Sequence, residues 1–268
     1  MIARRTRGFV VALVSVVTVA GIAPVVGETT GRARPDRRTT TWRPKVRPAI
    51  RWSNDRTGSV SFAVKVANGR IYMHRAATEV PMASTLKVMF MVAYLRQSSV
   101  RHRRLRDSDR ALLGPMIRRS DNNTATTIAD QLGPRPLSRL ARKANMRDFS
   151  YTRPWGQSRS SARDQARFMF KVEEFIPKRH RGYSRWLLSH VVSSQRWGIG
   201  KVNTSGWKKF FKGGWGSGSG AVDHQIVLLK RKNGTKTGLA VMTTNSPSHD
   251  YGKRTLRGTF ARLLRDLP

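Results

Sequence analysis

A dense apolar segment lies in the first third of the chain, where Ser84 to Tyr94 reads STLKVMFMVAY. It contains no glycine or proline, and Lys87 is its only charged side chain. Its length and lack of turn residues favour a helix over a strand. A helix that is apolar on every side has to be covered by other elements. We therefore predict a buried helix here, enclosed by the rest of a folded domain.

The segments around this helix predict the fold class. Before it, residues 59–66 and 70–74 flank Asn68-Gly69, a pair typical of a hairpin turn. After it, helices separated by glycine and proline are predicted around residues 108–118, 123–132, 136–144, 161–175 and 183–195. The chain then predicts strands at 210–212, 225–230 and 238–244, and an amphipathic helix at 254–264. Two strands, a helical middle, three strands and a helix predict an α+β sandwich with a helical insertion.

The N-terminal residues predict export. Residues 1–27 begin with three arginines, continue as an apolar run to Val26, and end with small residues before a cleavage point after Gly27. A retained membrane anchor is the alternative, although Pro24 interrupts the run and its length is at the lower limit for a span. We expect a secreted or extracytoplasmic protein.

Residues 28–55 are rich in Arg, Pro and Thr. Because proline disfavours helix in the residue before it, we predict a basic linker, mostly disordered, that settles onto the domain near Ile50 and Trp52. The folded domain is then predicted to span residues 56–268.

The charge of the chain is strongly positive. It has 52 Lys and Arg against 15 Asp and Glu, a net charge of +37. Loss of residues 1–27 removes three Arg and no acid, which leaves 49 − 15 = +34. Such a charge attracts polyanions, and export favours an anionic cell-wall polymer over nucleic acid, for which no binding motif is present.

Other composition signals narrow the chemistry. The absence of cysteine excludes disulfides and thiol nucleophiles. The six histidines show no metal-ligand spacing. We predict no metal, no other cofactor and a monomeric state.

The first chemical motif is Ser84-Thr85-Leu86-Lys87. On a helix, Ser84 and Lys87 lie one turn apart on the same face. Burial lowers the pKa of a lysine, and a neutral lysine beside a serine is a competent general base. An ordinary helix cap is the plain alternative for Ser84, and the same spacing recurs at Ser205 to Lys208.

Two further motifs follow in the chain. Ser120-Asp121-Asn122 precedes a predicted helix, where all three residue types also serve as caps. Lys212-Gly213-Gly214-Trp215 ends a short apolar stretch, where a glycine turn is the plain alternative.

Together and in this order, the three motifs resemble the signature set of class A β-lactamases and penicillin-binding proteins. The resemblance runs from about residue 59 to the C-terminus, and includes the flanking residues 81–88 and 116–132. It implies a five-stranded antiparallel sheet flanked by helices, with an inserted all-α subdomain and the site between them.

The resemblance also implies catalytic roles. Ser84 would attack a carbonyl to form an acyl-enzyme, and Lys87 would activate it. Ser120 would pass a proton to the leaving nitrogen. Lys212 would hold positive charge near Ser120 and the carboxylate of the substrate.

Binding roles are implied as well. Asn122 would hydrogen-bond the amide side chain of the substrate, and Gly214 and Trp215 would line the substrate on the strand. The backbone N–H groups of Ser84 and Trp215 would form an oxyanion hole.

A second candidate for the strand lysine is Lys236, because Lys236-Thr237-Gly238 matches the Lys-Thr-Gly motif of the family more closely than Lys212-Gly213-Gly214 does. Two predicted strands follow Lys212, as in the family, but only one follows Lys236. Lys236 also lies beside the turn at Asn233-Gly234. We therefore choose Lys212.

The sequence departs from class A β-lactamases in the omega loop. Residues 145–160 contain no Glu to activate the deacylating water, and Asp148 is their only acid. Asp148 remains a candidate replacement. A second departure is Gly213, which lacks the hydroxyl that the family places beside the lysine.

These residues predict an exported serine hydrolase that forms an acyl-enzyme with β-lactams or related D-alanyl peptides. The missing Glu leaves a D-Ala-D-Ala peptidase of the penicillin-binding type, with slow deacylation, as one alternative. A non-catalytic, cationic cell-wall-binding module is the other.

Overall fold

The computed structural model describes residues 42–216, 218 and 220–268. The strands are β1 (Ser59–Lys65), β2 (Ile71–His74), β3 (Glu79–Pro81), β4 (Arg159–Ser161), β5 (Lys208–Gly216), β6 (Val222–Lys230) and β7 (Lys236–Thr244). The α-helices are α1 (Val46–Asn54), α2 (Lys87–Leu95), α3 (Ser98–Arg101), α4 (Asp107–Arg118), α5 (Asn122–Leu132), α6 (Pro134–Lys143), α7 (Ala162–Phe175), α8 (Arg181–Ser189) and α9 (His249–Leu263). The predicted export signal, residues 1–27, and residues 28–41 of the predicted linker lie outside these residues.

Five of the strands form one antiparallel sheet in the order β2-β1-β7-β6-β5. Successive residues of a strand point to opposite faces, and both faces are covered. On β6, Ile226 packs into the core beneath the helical insertion, whereas Val227 packs into the core beneath α1 and α9. The α+β class and the five-stranded antiparallel sheet are confirmed.

The apolar segment forms the centre of the helical side. A 3-10 turn covers Ala83–Leu86, and every residue of α2 is buried. Helices α4, α5 and α6 pack around α2, and α7 crosses the sheet against β7 and β1. The predicted buried helix is therefore confirmed, with its first turn wound more tightly than an α-helix.

The predicted linker, residues 28–55, contains a helix, and its residues near Ile50 and Trp52 pack on the domain. Residues Val46–Asn54 form α1, which packs on α9. Pro48 is tolerated because it lies in the first turn, where its missing N–H has no intrahelical partner to lose. The Trp52 indole donates to the Thr255 carbonyl (3.2 Å) and lies so close to Gly258 that a Cβ there would come within 2.4 Å of the ring.

Other boundaries differ by a few residues. Helix α8 ends at Ser189 instead of 195, α9 begins at His249, and β5 extends to Gly216. The small sheet of β3 and β4 was not predicted. Its strands have three residues each, too few for a periodic signal.

Within the residues that the structure describes, no helix is long and apolar enough to cross a membrane.

Candidate active site

Ser84 lies in the 3-10 turn that leads into α2, half-buried. The residue before it, Ala83, has a φ of 45°. This left-handed conformation is unfavourable for alanine and is found most often where surrounding contacts impose it. Two of those contacts come from Thr85, whose backbone N–H and hydroxyl both donate to the Met82 carbonyl (3.1 and 2.6 Å). The turn thus fixes the serine at the N-terminal end of the helix.

Lys87 follows one turn later and is fully buried. Its Nζ donates to the backbone carbonyl of Ser120 (2.6 Å) and to Oδ1 of Asn122 (2.7 Å), and lies 3.3 Å from the Ser120 Oγ. Burial lowers the pKa of Lys87 to about 7, although the charge of Asp121 opposes the shift. A large fraction of Lys87 is therefore a neutral amine near pH 7.

Lys212 reaches the same serine from β5. Its Nζ donates to the Ser120 Oγ (2.9 Å) and to the Gly213 carbonyl (2.7 Å), and its side chain is fully buried. Burial, and then the charge of Lys87, hold the pKa of Lys212 well below its usual range. The hydroxyl of Ser120 thus lies between two lysines, both of which lose affinity for their proton.

The Ser-Asp-Asn motif divides into two functions. The Asp121 carboxylate accepts from the Thr124 N–H (2.8 Å), so this residue is the ordinary helix cap of α5. Ser120 and Asn122, on either side of it, both accept hydrogen bonds from Lys87. Ser120 has a left-handed backbone, with a φ of 59°. The cap interpretation therefore holds for the middle residue only.

Gly214 lets β5 approach the nucleophile turn. A Cβ at this position would lie 2.8 Å from the Thr85 nitrogen and 2.9 Å from the Ser84 nitrogen, closer than real Cβ contacts. Glycine is therefore required here, and the Ser84 N–H faces the strand that continues into Trp215.

The missing hydroxyl at Gly213 has a steric reason. A Cβ at Gly213 would lie 2.8 Å from the indole ring of Trp197. Trp197 in turn packs edge-on against Trp215 (ring centroids 5.9 Å), which stacks on His249 (5.5 Å) and is 36% exposed. An aromatic wall thus occupies the space beside the strand lysine.

Asp148, the candidate replacement for the omega-loop Glu, is held by neighbouring side chains. Its carboxylate accepts from the Ser161 hydroxyl (2.5 Å) and pairs with Arg163 (2.8 Å). These contacts join the loop to the start of α7. Its two carboxylate oxygens are therefore already engaged.

The loop residue that faces Lys87 is Trp155, whose ring centroid lies 5.0 Å from the Lys87 Nζ. Its indole donates to Thr126 (3.1 Å) and its ring packs edge-on against Phe90 (5.8 Å). Gln157 then donates to the carbonyl of Gly218 (2.8 Å), which connects the loop to the β5–β6 turn. Nothing in the sequence around Trp155 and Trp197 reveals these partners, because they are distant in the chain.

Lys236, the second candidate for the strand lysine, begins β7 and pairs with Glu174 (2.7 Å). It does not take part in the group around Ser120.

Comparisons with known proteins identify the family of this chain. Residues 108–267 match the family model described as "Beta-lactamase enzyme family". That match contains Ser120 and Lys212 but starts after Lys87, so the placement of Lys87 beside them comes from the geometry above. A search of curated proteins finds no match.

Solved structures share the fold. A class A β-lactamase from Mycobacterium abscessus is 19% identical with a TM-score of 0.70, over 83% of this chain and 99% of that one. A β-lactamase from Sphaerobacter thermophilus is 18% identical with a TM-score of 0.70, over 82% of this chain and 96% of that one. One from Chitinophaga pinensis is 13% identical with a TM-score of 0.68, over 83% and 98%. Because the family model matches more than half of the sequence, the chain belongs to the β-lactamase enzyme family and is a serine hydrolase that acts on amide bonds.

Proposed function

We propose that this protein is an exported serine hydrolase that forms an acyl-enzyme on Ser84 with β-lactams or related D-alanyl peptides. The observation that carries the proposal is the hydrogen-bonded group of Lys87, Ser120 and Lys212 beside the Ser84 turn. It joins two buried lysines and a hydroxyl from three separate elements.

In the proposed acylation, neutral Lys87 takes the proton of the Ser84 hydroxyl. A neutral amine has two N–H bonds, and the two shortest contacts of Lys87 go to the acceptors on Ser120 and Asn122. The lone pair of the Lys87 amine is then free to accept the proton of the Ser84 hydroxyl. Ser84 Oγ attacks the amide carbonyl, and the N–H groups of Ser84 and Trp215 receive the oxyanion.

Collapse of the tetrahedral intermediate breaks the C–N bond. Ser120 donates its proton to the leaving nitrogen. It recovers a proton from Lys87, which took one from Ser84 and lies 3.3 Å from the Ser120 Oγ. Because Asn122 presents its carbonyl oxygen to Lys87, its NH₂ group is the part that can donate to a substrate. An arriving substrate carboxylate would favour the protonated form of Lys212, since an opposite charge nearby raises the pKa of an amine, and Lys212 would then supply the positive charge that binds it.

We propose that deacylation is slow. The loop presents Trp155 to Lys87, and Asp148 is engaged by Ser161 and Arg163. No carboxylate of residues 145–160 is then available to activate water. A penicillin-binding type of peptidase, with a long-lived acyl-enzyme, is favoured by the same observation.

Intact mass spectrometry after incubation with penicillin tests the proposal. We expect an adduct of one penicillin that decays over minutes to hours. Ser84→Ala should lose it. Ser205→Ala, which removes the serine of the other Ser-x-x-Lys sequence, should keep it. An unmodified mass together with no turnover of a chromogenic cephalosporin would leave the non-catalytic module as the better explanation.

A further inference from the structure

A groove of about 810 Å³ lies between α8 and the N-terminal end of β5. Strand β5 is an edge strand of the sheet, so its outer side is not covered by another strand. The far end of β6 and the turn that follows it close the groove on the third side. None of the residues assigned to acylation lines it.

The groove is strongly basic. Seven Lys and Arg side chains line it, and no Asp or Glu does. At its border, Lys208, Arg231 and Lys232 have no ion-pair partner among the described residues. Among acidic side chains, Glu173 lies near the groove, but it is already shared by Lys230 (2.5 Å) and Arg185 (3.4 Å). The charge of the groove is therefore left for a ligand to neutralise.

An aromatic surface accompanies this charge. Trp186 is 40% exposed and stacks between Tyr183 (centroids 5.8 Å) and His190 (5.2 Å). Arg231 lies over the ring of Trp207 (5.7 Å). Arg118 also lies over the Trp186 ring (4.7 Å), so the exposed part of Trp186 is the indole surface that these three groups leave uncovered. That surface is apolar and can contact C–H groups of a sugar or polyol.

We propose that this groove binds a phosphodiester-linked anionic polymer of the cell wall. Lys and Arg are the side chains suited to phosphate, and a concave border of unpaired cations can follow a flexible chain. Lysines on an edge strand also discourage strand pairing, but Arg231 and Lys232 lie beyond the strands and are not explained by that. The two exposed rings that line the groove, Trp186 and His190, stack on each other. They therefore do not form the series of separate stacking surfaces that is typical of single-stranded nucleic-acid grooves.

The groove is close to the proposed acylation site. Lys208 and Lys212 are four positions apart on β5, about 13 Å along an extended strand. A bound polymer would thus hold the site against the wall and raise the effective concentration of wall-linked substrate. Binding itself does not rest on the proposed hydrolase activity and is measured without it.

The test measures binding of the full chain to poly(glycerol phosphate) by titration calorimetry at several NaCl concentrations. The triple variant Lys208→Gln, Arg231→Gln, Lys232→Gln removes the three unpaired cations. The control, Arg139→Gln, Arg142→Gln, Lys143→Gln, removes the same charge from α6. All six residues lie at the surface, and thermal unfolding checks that each variant folds.

We expect the groove variant to bind about tenfold more weakly near 0.1 M salt. The slope of the logarithm of the binding constant against the logarithm of the salt concentration should be smaller in magnitude by about 2, because each of the three lost phosphate contacts contributes about 0.7 on a flexible strand. The α6 control should stay within about twofold of the parent. Equal weakening of both variants would show diffuse attraction and overturn the proposal, as would no weakening of either. Tighter binding of single-stranded DNA with the same number of phosphates would identify a nucleic-acid groove instead.

Discussion

At the scale of single residues, the site depends on two buried lysines that meet at one hydroxyl. Lys87 and Lys212 are both fully removed from water, and both approach Ser120. Burial favours the neutral form of an amine. The site therefore holds a base at neutral pH without a histidine, and the fold supplies this by enclosing α2.

The rate of acylation should rise with pH through about 7. Below that pH, Lys87 is protonated and cannot accept the proton of Ser84; above it, the neutral base predominates. The measurement is the acylation rate with a chromogenic cephalosporin from about pH 5 to 9. Lys87→Arg, which stays charged, should lose roughly 10²–10⁴-fold.

Lys236→Gln is the matched control, since it removes the lysine of the other Lys-x-Gly sequence. It should keep both the rate and the pH profile. A flat profile in the parent, or an active Lys87→Arg variant, would rule out Lys87 as the base.

Gly213 should be intolerant of a side chain because of Trp197. Gly213→Ser places a Cβ 2.8 Å from the indole, and we expect a loss of about 1–3 kcal/mol in the free energy of unfolding. In a double-mutant cycle with Trp197→Ala, the serine should cost less, with a coupling of about 0.5–3 kcal/mol. Urea unfolding measures both. Additive costs would show that the two residues do not compete for the same space.

At the scale of elements, the site is assembled where a turn, a loop and a strand meet. The Ser84 turn comes from one segment, Ser120 from the loop before α5, and Lys212 from β5. Gly214 permits the contact between the strand and the turn. Helix α1 has a different task, because it covers the opposite face of the sheet together with α9.

Helix α1 should be part of the stable domain. A chain that starts at residue 56 loses the packing of Trp52 and Ile50 on α9. We expect this loss to lower the free energy of unfolding by about 3 kcal/mol. For a domain of this size, that lowers the melting temperature by roughly 6–12 °C. A chain that starts at residue 42 retains α1 and is the control; it should melt close to a chain that starts at residue 28. Equal melting of the two shorter chains would contradict the role of α1.

At the scale of the whole molecule, charge opposes compactness. With 52 basic and 15 acidic side chains, most cations have no acid to pair with. Like charges on a folded surface repel, and salt screens that repulsion over roughly 10 Å at about 0.1 M. The family fold is therefore maintained here by its two apolar cores and not by surface ion pairs, which contribute little.

The melting temperature should consequently rise as salt is added. We expect an increase of several degrees between about 10 mM and 0.5 M NaCl, because screening relieves the self-repulsion of the folded state. Choline chloride at the same ionic strength should act alike, which separates screening from binding of a particular cation. A fall in melting temperature would mean that ion pairs such as Arg103–Asp109 outweigh the repulsion.

The sequence by itself determined the fold class, the buried helix and the order of the three motifs. Those features depend on local patterns: apolar periodicity, turn residues, and short spacings along one helix. It did not predict that Val46–Asn54 is helical, since Arg-Pro pairs indicate a linker and the packing of Trp52 against Gly258 joins positions far apart in the chain.

Only the tertiary structure decided which residues meet. Contacts between distant segments have no periodic signal. The positions of Trp155 at Lys87, of Trp197 at Gly213, and of Asp148 at Ser161 and Arg163 therefore required the folded chain. The shift in the pKa of Lys87 arises in the same way. It is caused by the removal of water, which is achieved by all the elements around α2 and by none of them alone.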